Sequence, residues 1–384
     1  MLSDAQRFDL EDKPSAVYFY CVEPGLPTNT AYQHETVCLA EGLTRLGIRC
    51  YSNIDYWLDA VSGNYLLKHD QAVRPEDCSV VILSHNWFDF QPLARLPERL
   101  FAPDRKYITA YIDNADGLVT RSHKSEFRQF DHIFRAHSTL LANQPKNMHP
   151  WAFGLSERIL RHTIEQPKPL DRQRKLLVNF RVSHPVRAQA RTNFLPRLSP
   201  ILPSDESIDA LESPPAPFTP DYIDWMQTGR RHYPGYYHRL RSMLACACFG
   251  GFFFEPSLQS LPHGITHRLY RLLNKIKPNL KFRGVIQWDS WRLWEAFAAG
   301  CTVFHLDFEK YGMQLPIMPH NWEHYIGVDM EDPQATVDRL VSQPELLEQI
   351  GLQGQQWAYN HYSPIPTARR FIKALNSSGP TPTS

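Results

Sequence analysis

Short apolar runs alternate with longer amphipathic stretches along the first 150 residues of the chain. Each run is almost continuously apolar, which is typical of strands that are buried on both faces of a parallel sheet. The runs lie at residues 17–22, 48–51, 80–83, 107–112 and 132–136. After the first run, a helix is predicted from about Thr30 to Gly47, because glycine is a common helix stop. This β–α alternation favours an open, doubly wound sheet.

The second half of the chain repeats the alternation and predicts a second sheet. Its first strand is predicted at residues 176–180, and six prolines between residues 199 and 220 indicate an irregular inserted loop. Further helices are predicted at residues 236–244, 268–274, 290–299 and 333–376. Further strands are predicted at residues 249–254, 284–288 and 301–306.

Two α/β sheets of similar size predict two Rossmann-like domains that face a cleft. We place the first domain at residues 1–165, the second at residues 166–355, and a terminal segment at residues 356–384. In that segment a helix at residues 366–375 is expected to cross back, and the tail after it is expected to be disordered. Ligands of parallel sheets bind beyond the carboxyl ends of the strands, so the cleft is the expected site.

Composition excludes several classes of protein. The 384 residues include 41 basic and 40 acidic side chains, a formal charge of +1, whereas general binders of nucleic acid or anionic membranes are usually far more basic. The most apolar run spans residues 243–254, against about 20 residues for a membrane-spanning helix. The start of the chain lacks the basic and apolar regions of a signal peptide. A cytoplasmic protein without a transmembrane segment is therefore expected.

Several common chemistries are also absent from the sequence. Its seven cysteines include no C-x-x-C pair, so neither a disulfide framework nor a zinc ribbon is predicted. The phosphate loop, the dinucleotide fingerprint G-x-G-x-x-G, the elbow G-x-S-x-G and the zinc motif H-E-x-x-H do not occur either.

Residues 286–303 carry the most informative pattern, which reads as strand, short loop, helix, glycine stop and strand. Asp289 or Ser290 can cap the helix, whose first N–H groups form a ready site for a diphosphate. Glu295 lies one to two turns further along, where its carboxylate could accept hydrogen bonds from the hydroxyls of a ribose. The alternative is an ordinary ion pair between Arg292 and Glu295 on a solvated helix face.

This segment resembles the donor-site signature of GT-B glycosyltransferases, closest to the exostosin-type and spore-maturation-type enzymes and similar to a family 1-like C-terminal donor domain. The signature S-x-R-x-x-E-A-x-x-x-G-C is filled by Ser290, Arg292, Glu295, Ala296, Gly300 and Cys301. Residues 237–252 and 319–326 resemble the segments that flank it, so the resemblance covers about residues 236–330. It implies a GT-B fold and a hexosyltransferase-type enzyme that moves a sugar from a nucleotide-sugar donor to an acceptor hydroxyl.

The resemblance also implies roles for individual residues. Glu295 would bind the donor ribose. The donor-binding residues around it would be Gln287, Asp289, Ser290 and Arg292. Arg181 and Arg187, after the first strand of the second domain, would bind the diphosphate, although they could instead belong to a solvated basic linker. GT-B enzymes typically need no metal and the chain has no Asp-x-Asp, so no metal or other cofactor is expected.

One position departs from the pattern of the retaining relatives. Many of them carry a second glutamate eight positions before the ribose-binding one, and here that position is Gln287. An amide cannot act as a carboxylate, so this difference favours an inverting transfer.

A general base is expected at the end of a strand in the first domain. Asp113, which follows a buried strand, is placed narrowly ahead of His85 and His34. Each of the three could instead be a helix cap or a loop hydrogen-bonding group.

Two other functions fit the same fold. A nucleotide-sugar epimerase would turn over the donor alone, and a non-catalytic subunit would bind a sugar or a partner transferase without turnover. For the transferase, the expected acceptor is a glycan, a lipid-linked sugar or a small molecule, and nucleic acid is not expected.

Overall fold

The structure is a computed structural model that describes residues 13–23, 32–90, 95–116, 121, 124–141, 144–166, 172–206, 213–254 and 284–377. The helix predicted at residues 268–274, the start of the first helix near Thr30 and the tail predicted after residue 377 lie outside these ranges.

The first half of the chain builds a parallel sheet. Its elements are β1 (Ala16–Tyr20), α1 (His34–Arg45), β2 (Arg49–Ser52), β3 (Tyr56–Leu58), β4 (Tyr65–Leu67), β5 (Val80–Ser84), α2 (Asn86–Phe90), β6 (Ile108–Asp113), β7 (His132–Arg135), β8 (Ser138–Thr139) and β9 (Met148–Pro150). Among the described residues, six strands pair in parallel in the order β2-β1-β5-β6-β7-β9. β3 and β4 form a small antiparallel hairpin beside them.

This sheet is buried on both faces, which confirms the expectation from its apolar runs. Val17 and Phe19 of β1 face one core cluster, and Ala16 and Tyr18 face the other. Side chains alternate across a strand, so two apolar faces require a nearly continuous apolar sequence.

The second half builds a second parallel sheet. Its elements are α3 (Glu157–His162), β10 (Gln173–Leu177), α4 (Pro185–Gln189), α5 (Leu195–Leu198), β11 (Ser204–Asp205), α6 (Pro220–Gln227), α7 (Pro234–Ser242), β12 (Met243–Ala247), β13 (Phe252–Phe254), β14 (Gly284–Ile286), α8 (Trp291–Ala298), β15 (Thr302–Leu306), β16 (Met313–Gln314), β17 (Ile326–Val328), α9 (Pro333–Ser342), α10 (Leu346–Tyr362) and α11 (Pro364–Asn376). Within the described part, five strands pair in parallel in the order β11-β10-β12-β15-β17.

Three predicted strands of this half differ from the structure, and a fourth strand, β12, is not predicted. β12 is the central strand of the sheet, and it begins inside the helix predicted at residues 236–244. That helix in fact ends at Ser242. Residues 252–254 and 284–286 form an antiparallel hairpin, β13 with β14, outside the parallel sheet. The first strand lies at residues 173–177 rather than 176–180. Its first three residues are polar and exposed, so no apolar run marks where it begins.

Two crossings connect the halves. Trp151 belongs to the core of the first sheet, whereas Ala152 belongs to the core of the second. At the end of the chain, α11 returns to the first sheet and packs against α1, where Gly42 leaves no room for a side chain beside Pro364. The backbone N–H of Leu155 donates to the carbonyl of Tyr362 over 2.9 Å, so the crossings touch.

A pair of short strands also joins the halves, since β8 of the first pairs with β16 of the second. None of the helices in the described ranges has the length and apolar character that a membrane span requires.

Candidate active site

A cavity of about 1080 Å³ lies between the two sheets, slightly above the range of about 300–1000 Å³ that is usual for small-ligand sites. Its wall is formed by residues that follow the carboxyl ends of strands in both halves. His85 follows β5 and Asn114 follows β6, while Asn179 follows β10 and Gly250 follows β12. The cavity therefore occupies the place where parallel sheets bind ligands.

Glu295 of α8 lies in the wall of this cavity, with only 7% of its surface exposed. The hydroxyl of Tyr237 donates to Oε1 over 2.6 Å, and that of Tyr236 donates to Oε2 over 3.1 Å. Each carboxylate oxygen has two lone pairs, so each keeps capacity for a ligand hydroxyl. The solvated ion pair with Arg292 is not the observed environment of this carboxylate.

A buried arginine, Arg158, lies next to Glu295. Arg158 of α3 donates to the hydroxyl of Tyr237 over 2.5 Å, and its Nη2 lies 3.9 Å from Oε1 of Glu295. The same guanidinium lies over the rings of Tyr32 and Tyr237. The guanidinium and the two tyrosine hydroxyls therefore hold the Glu295 side chain in one orientation.

Asp289 is oriented by three donors instead of capping α8. Its carboxylate accepts hydrogen bonds from the backbone N–H groups of Phe153 (2.9 Å) and Ser290 (2.8 Å), and from the indole of Trp294 (2.7 Å). Burial raises the pKa of Asp289 to about 7. Ser290 occupies the N-cap position of α8, but its side chain makes no capping hydrogen bond.

Gln287 and His137 lie together in the cavity wall, both with left-handed backbones, at φ values of 56° and 53°. Nδ1 of His137 accepts from the backbone N–H of Asp289 over 3.0 Å, which places the ring proton on Nε2 when the ring is neutral. Burial lowers the pKa of His137 well below its usual value. Nε2 is buried without a hydrogen-bond partner in the described part of the chain. No motif in the sequence points to His137.

Positive charge is concentrated on the second-half wall. Arg187 donates through Nε to the carbonyl of Phe249 over 2.9 Å, and burial together with the charge of Arg292 lowers the pKa of Arg187 to about 10. Arg181 lies in the same wall and is exposed. The cavity thus contains all three arginines that the sequence predicts.

Two further arginines in this wall are not predicted from the sequence. Arg230 and Arg231 precede α7, and the guanidinium of Arg231 lies 5.6 Å above the ring of Trp291. None of the five arginines of this wall forms an ion pair with another residue in the described ranges. Guanidinium groups that share a wall and form no ion pair offer a site suited to a polyanion.

The structure places Asp113 away from the cavity wall. Its carboxylate is fully buried and lies 2.7 Å from Nη1 of Arg135, in an ion pair within the first sheet. The side chains that follow it, Asn114 and Asp116, line the cavity instead. This geometry speaks against Asp113 as the base.

The two histidine candidates differ in their access to the cavity. His34 is fully buried, with Nδ1 bonded to the hydroxyl of Tyr32 (2.6 Å) and Nε2 bonded to the carbonyl of Gly154 (3.0 Å). Burial lowers the pKa of His34 to about 3. His85 lines the cavity, and its Nδ1 lies 3.0 Å from the hydroxyl of Tyr111.

Glu35 follows His34 in α1. It is one of two acidic side chains that the described part of the first half contributes to the cavity wall, and the other is Asp116. Oε2 of Glu35 accepts from the side-chain amide of Asn114 over 3.0 Å, whereas its buried Oε1 has no hydrogen-bond partner in the described ranges. Burial raises the pKa of Glu35 to about 8. The sequence gives no signal for this residue, because a lone Glu in the first turn of a helix is common.

Outside the cavity, His162, Asp221 and His232 bring three potential metal ligands within 4.8 Å of one another. Arg158 donates to Nδ1 of His232 over 3.1 Å, which places the ring proton on Nε2, where it can be donated to Asp221 over 3.2 Å. The nitrogen that would bind a metal is therefore occupied, and the group is satisfied as a hydrogen-bonded cluster.

Two parallel Rossmann-like sheets, joined by a chain that returns to the first, and a cavity at their carboxyl ends define the GT-B fold. Over 94% of its length the chain is similar to an α-glucosyltransferase solved with UDP and a 13-mer DNA, of which it covers 99%, with 9% identity and a TM-score of 0.52. This similarity establishes the fold.

Two more distant similarities are to HepE from Anabaena and to TarM from S. aureus. HepE, solved with UDP and glucose, has 9% identity, a TM-score of 0.47, and coverage of 94% of this chain and 100% of that chain. TarM, solved with UDP, fondaparinux and α-GlcNAc-glycerol, has 9% identity, a TM-score of 0.42, and coverage of 79% and 56%. No protein-family model matches the sequence, and no curated protein does.

Proposed function

We propose that the chain is a glycosyltransferase that transfers a sugar from a nucleotide-sugar donor to an acceptor hydroxyl. One observation carries this proposal. The cavity places an oriented carboxylate, Glu295, on the same wall as five arginines that have no carboxylate partner in the described ranges. A nucleotide sugar offers the matching groups, a ribose with two hydroxyls and a diphosphate.

In this assignment Glu295 accepts hydrogen bonds from the ribose hydroxyls, because Tyr236 and Tyr237 fix its orientation and leave it further lone pairs. Arg181, Arg187 and Arg292, together with Arg230 and Arg231, bind the diphosphate. The UDP in the structure of the similar α-glucosyltransferase makes a UDP-sugar the first donor to test and UDP the first ligand.

We propose that the reaction proceeds without a metal ion. As the bond between the anomeric carbon and the diphosphate oxygen breaks, negative charge accumulates on the leaving diphosphate. Preorganised positive charge that faces this oxygen stabilises the transition state. The arginines supply this charge, including the partly buried guanidinium of Arg187.

Glu35 is the base that we propose in place of Asp113. The acceptor oxygen forms the new bond to the anomeric carbon, its proton passes to Oε1 of Glu35, and the diphosphate leaves with the electron pair of the broken bond. Oε1 has no other partner in the described ranges, and a base works best when its pKa is near the working pH. His85 is the remaining alternative in the wall.

We keep inversion as the proposed stereochemical course, because Gln287 contributes no carboxylate to the cavity and Glu35 provides an acceptor-side base. The anomeric configuration of the product, determined by NMR, tests this point separately. A product with the configuration of the donor would contradict inversion and leave the transfer itself intact.

The donor assignment is tested by binding of UDP, measured by calorimetry and by thermal shift. Glu295→Ala is expected to weaken binding by about tenfold to a hundredfold, since hydrogen bonds to a charged group contribute about 1.5–3 kcal/mol. Glu323→Ala, an exposed glutamate outside the cavity wall, is the matched control. Equal UDP affinity of Glu295→Ala and the control would refute the donor site.

The base is tested by transfer rates under donor saturation. Glu35→Gln should lower turnover by about 10²–10⁴ while UDP affinity changes little. Wild-type turnover of this variant, with a large loss in His85→Ala, would assign the base to His85.

A further inference from the structure

We infer that Asn114 is a positioning residue of the transfer: its side-chain amide holds the carboxyl group of Glu35 so that Oε1 takes the proton of the acceptor hydroxyl. The inference rests on the proposed function, in which Glu35 is the base, and adds a residue to it. Hydrogen bonds among side chains of the first half that line the cavity carry the inference.

Asn114 uses both protons of its amide nitrogen inside the protein. Nδ2 donates to Oε2 of Glu35 over 3.0 Å and to Oδ1 of Asn86 over 3.0 Å. An amide nitrogen has two protons, so these two bonds use its full donor capacity. The acceptor on Asn86 thereby keeps the nitrogen of Asn114, rather than its oxygen, turned toward the carboxyl group of Glu35.

The backbone on both sides of Asn114 is held by Arg135, which is buried in the first sheet. Nη1 of Arg135 donates to the carbonyl of Ala115 over 3.0 Å and lies 3.4 Å from the carbonyl of Asp113. Because these contacts are made to backbone atoms, they do not require the carboxylate of Asp113. The side chain of Asn114 therefore starts from a fixed point of the chain.

The bond from Asn114 sets the geometry of the base. The two oxygens of a carboxyl group share a plane with its carbon, so fixing Oε2 of Glu35 restricts the positions open to Oε1. Oε1 has no hydrogen-bond partner in the described ranges, and the residue lines the cavity. A base must lie within hydrogen-bond reach of the proton that it takes, so an unrestrained carboxyl group would take it less often.

The same bond stabilises the ionised form of Glu35. Burial raises the pKa of this carboxyl to about 8, the hydrogen bonds from its own backbone N–H and from Asn114 lower it, and the charge of Asp289 raises it. The Cys38 thiol and the Tyr56 hydroxyl, which also interact with Glu35, stay neutral because burial raises their pKa values. Loss of the amide donor should therefore raise the pKa of Glu35 further.

The test measures kcat/KM against pH for the full chain, because this ratio reports the pKa of the free enzyme. The donor is a UDP-sugar that binds in the thermal-shift assay, the acceptors are water and neutral oligosaccharides, and UDP release is the readout. Asn114→Ala should move the midpoint of the rise with pH upward by about one pH unit, which lowers kcat/KM at pH 7 by about tenfold. UDP affinity should stay unchanged.

Two further variants support this measurement. Asn360→Ala, on an exposed asparagine of α10 outside the cavity wall, is the matched control and should keep the wild-type midpoint. Asn114→Asp keeps the shape of the side chain, so it serves where Asn114→Ala does not fold, and it should also move the midpoint upward because it replaces the donor with an acceptor. A folded Asn114 variant with the wild-type pH profile would overturn the inference.

A double-mutant cycle separates positioning from direct contact with the acceptor. Because Asn114 acts through Glu35, Asn114→Ala should lower kcat/KM by less than about twofold in the Glu35→Gln background. A loss of about tenfold in both backgrounds would mean that Asn114 acts on the acceptor by itself, and would overturn the inference.

Failure of the proposed function gives different results. Wild-type turnover of Glu35→Gln would refute the proposed base, and no UDP release by the wild type with any acceptor, water included, would refute the proposed transfer. A pH profile that Asn114→Ala leaves in place, together with a large loss in Glu35→Gln, would refute the role of Asn114 alone.

Discussion

The hydroxyl of Tyr237 lies 2.6 Å from Oε1 of Glu295, while Arg158 lies 2.5 Å from the same hydroxyl. Two hydrogen bonds through the phenol hydroxyl thus connect the buried guanidinium to the carboxylate at the cavity wall. The hydroxyl can donate only one proton, and it donates that proton to Glu295 while accepting from Arg158. The side chain of Glu295 is therefore oriented before any ligand is bound.

Removing this hydroxyl tests its role in positioning. Tyr237→Phe keeps the ring and deletes one short hydrogen bond, so UDP affinity should fall by about threefold to tenfold, a loss of about 0.5–1.5 kcal/mol. Calorimetry measures the affinity, and the thermal midpoint checks the fold. Tyr359→Phe, on an exposed tyrosine of α10, serves as the control and should bind like the wild type.

The arginine wall predicts that the diphosphate, rather than the nucleoside, provides most of the affinity. UDP should bind much more tightly than uridine, and Arg187→Lys should reduce that difference because lysine keeps the charge but loses the planar fork. The difference should also shrink as salt increases. Equal binding of uridine and UDP to the wild type would show that these arginines do not contact phosphate.

The pKa of Glu35 predicts how stability depends on pH. Burial raises the pKa of this carboxyl from 4.5 to about 8 in the folded state, so folding favours the protonated form. The wild type should lose stability as pH rises from about 4.5 to 8, because the unfolded chain ionises first. Glu35→Gln lacks this loss. The thermal midpoint of the variant minus that of the wild type should therefore increase between about pH 4.5 and 8 and stay constant above pH 8.

The comparison isolates Glu35, since Asp289, whose pKa burial also raises, is present in both proteins. A constant difference in thermal midpoint between pH 5 and pH 9 would mean that Glu35 is ionised throughout. In activity, the base form of Glu35 increases with pH, so kcat/KM should rise up to about pH 8.

Asp113 is expected to matter for stability instead of chemistry. Asp113→Asn removes the negative partner of the buried Arg135, and breaking a buried ion pair costs about 3–5 kcal/mol. The thermal midpoint should therefore fall strongly, while kcat below the midpoint stays near the wild-type value. A large loss of kcat in a variant that stays folded would restore Asp113 as the base.

The sequence predicts best where its signals are local. The segment around α8 combines a strand, a helix start and a glycine stop within 18 residues, and its carboxylate, Glu295, does lie in the cavity. The parallel strands of the first half are predictable because each is a short, nearly continuous apolar run, which is also a local signal. The strand β12 is not, because α7 ends at Ser242 and the strand begins at the next residue, with no glycine or proline between them.

The rest of the site depends on contacts between distant parts of the chain. Tyr237 and Glu295 are separated by 58 positions, and Arg158 and Tyr237 by 79. No pattern along the sequence reports such pairs. Asp113 shows the same limit from the other side: its position after a strand suits a base, but the sequence gives no sign of its buried ion pair with Arg135, 22 positions away.

The two crossings between the halves touch through the hydrogen bond from Leu155 to Tyr362. A movement that separates the two crossings must break this hydrogen bond, so the place where the chain leaves the first sheet and the place where it returns are tied to each other. The pairing of β8 with β16 adds a further contact between the halves.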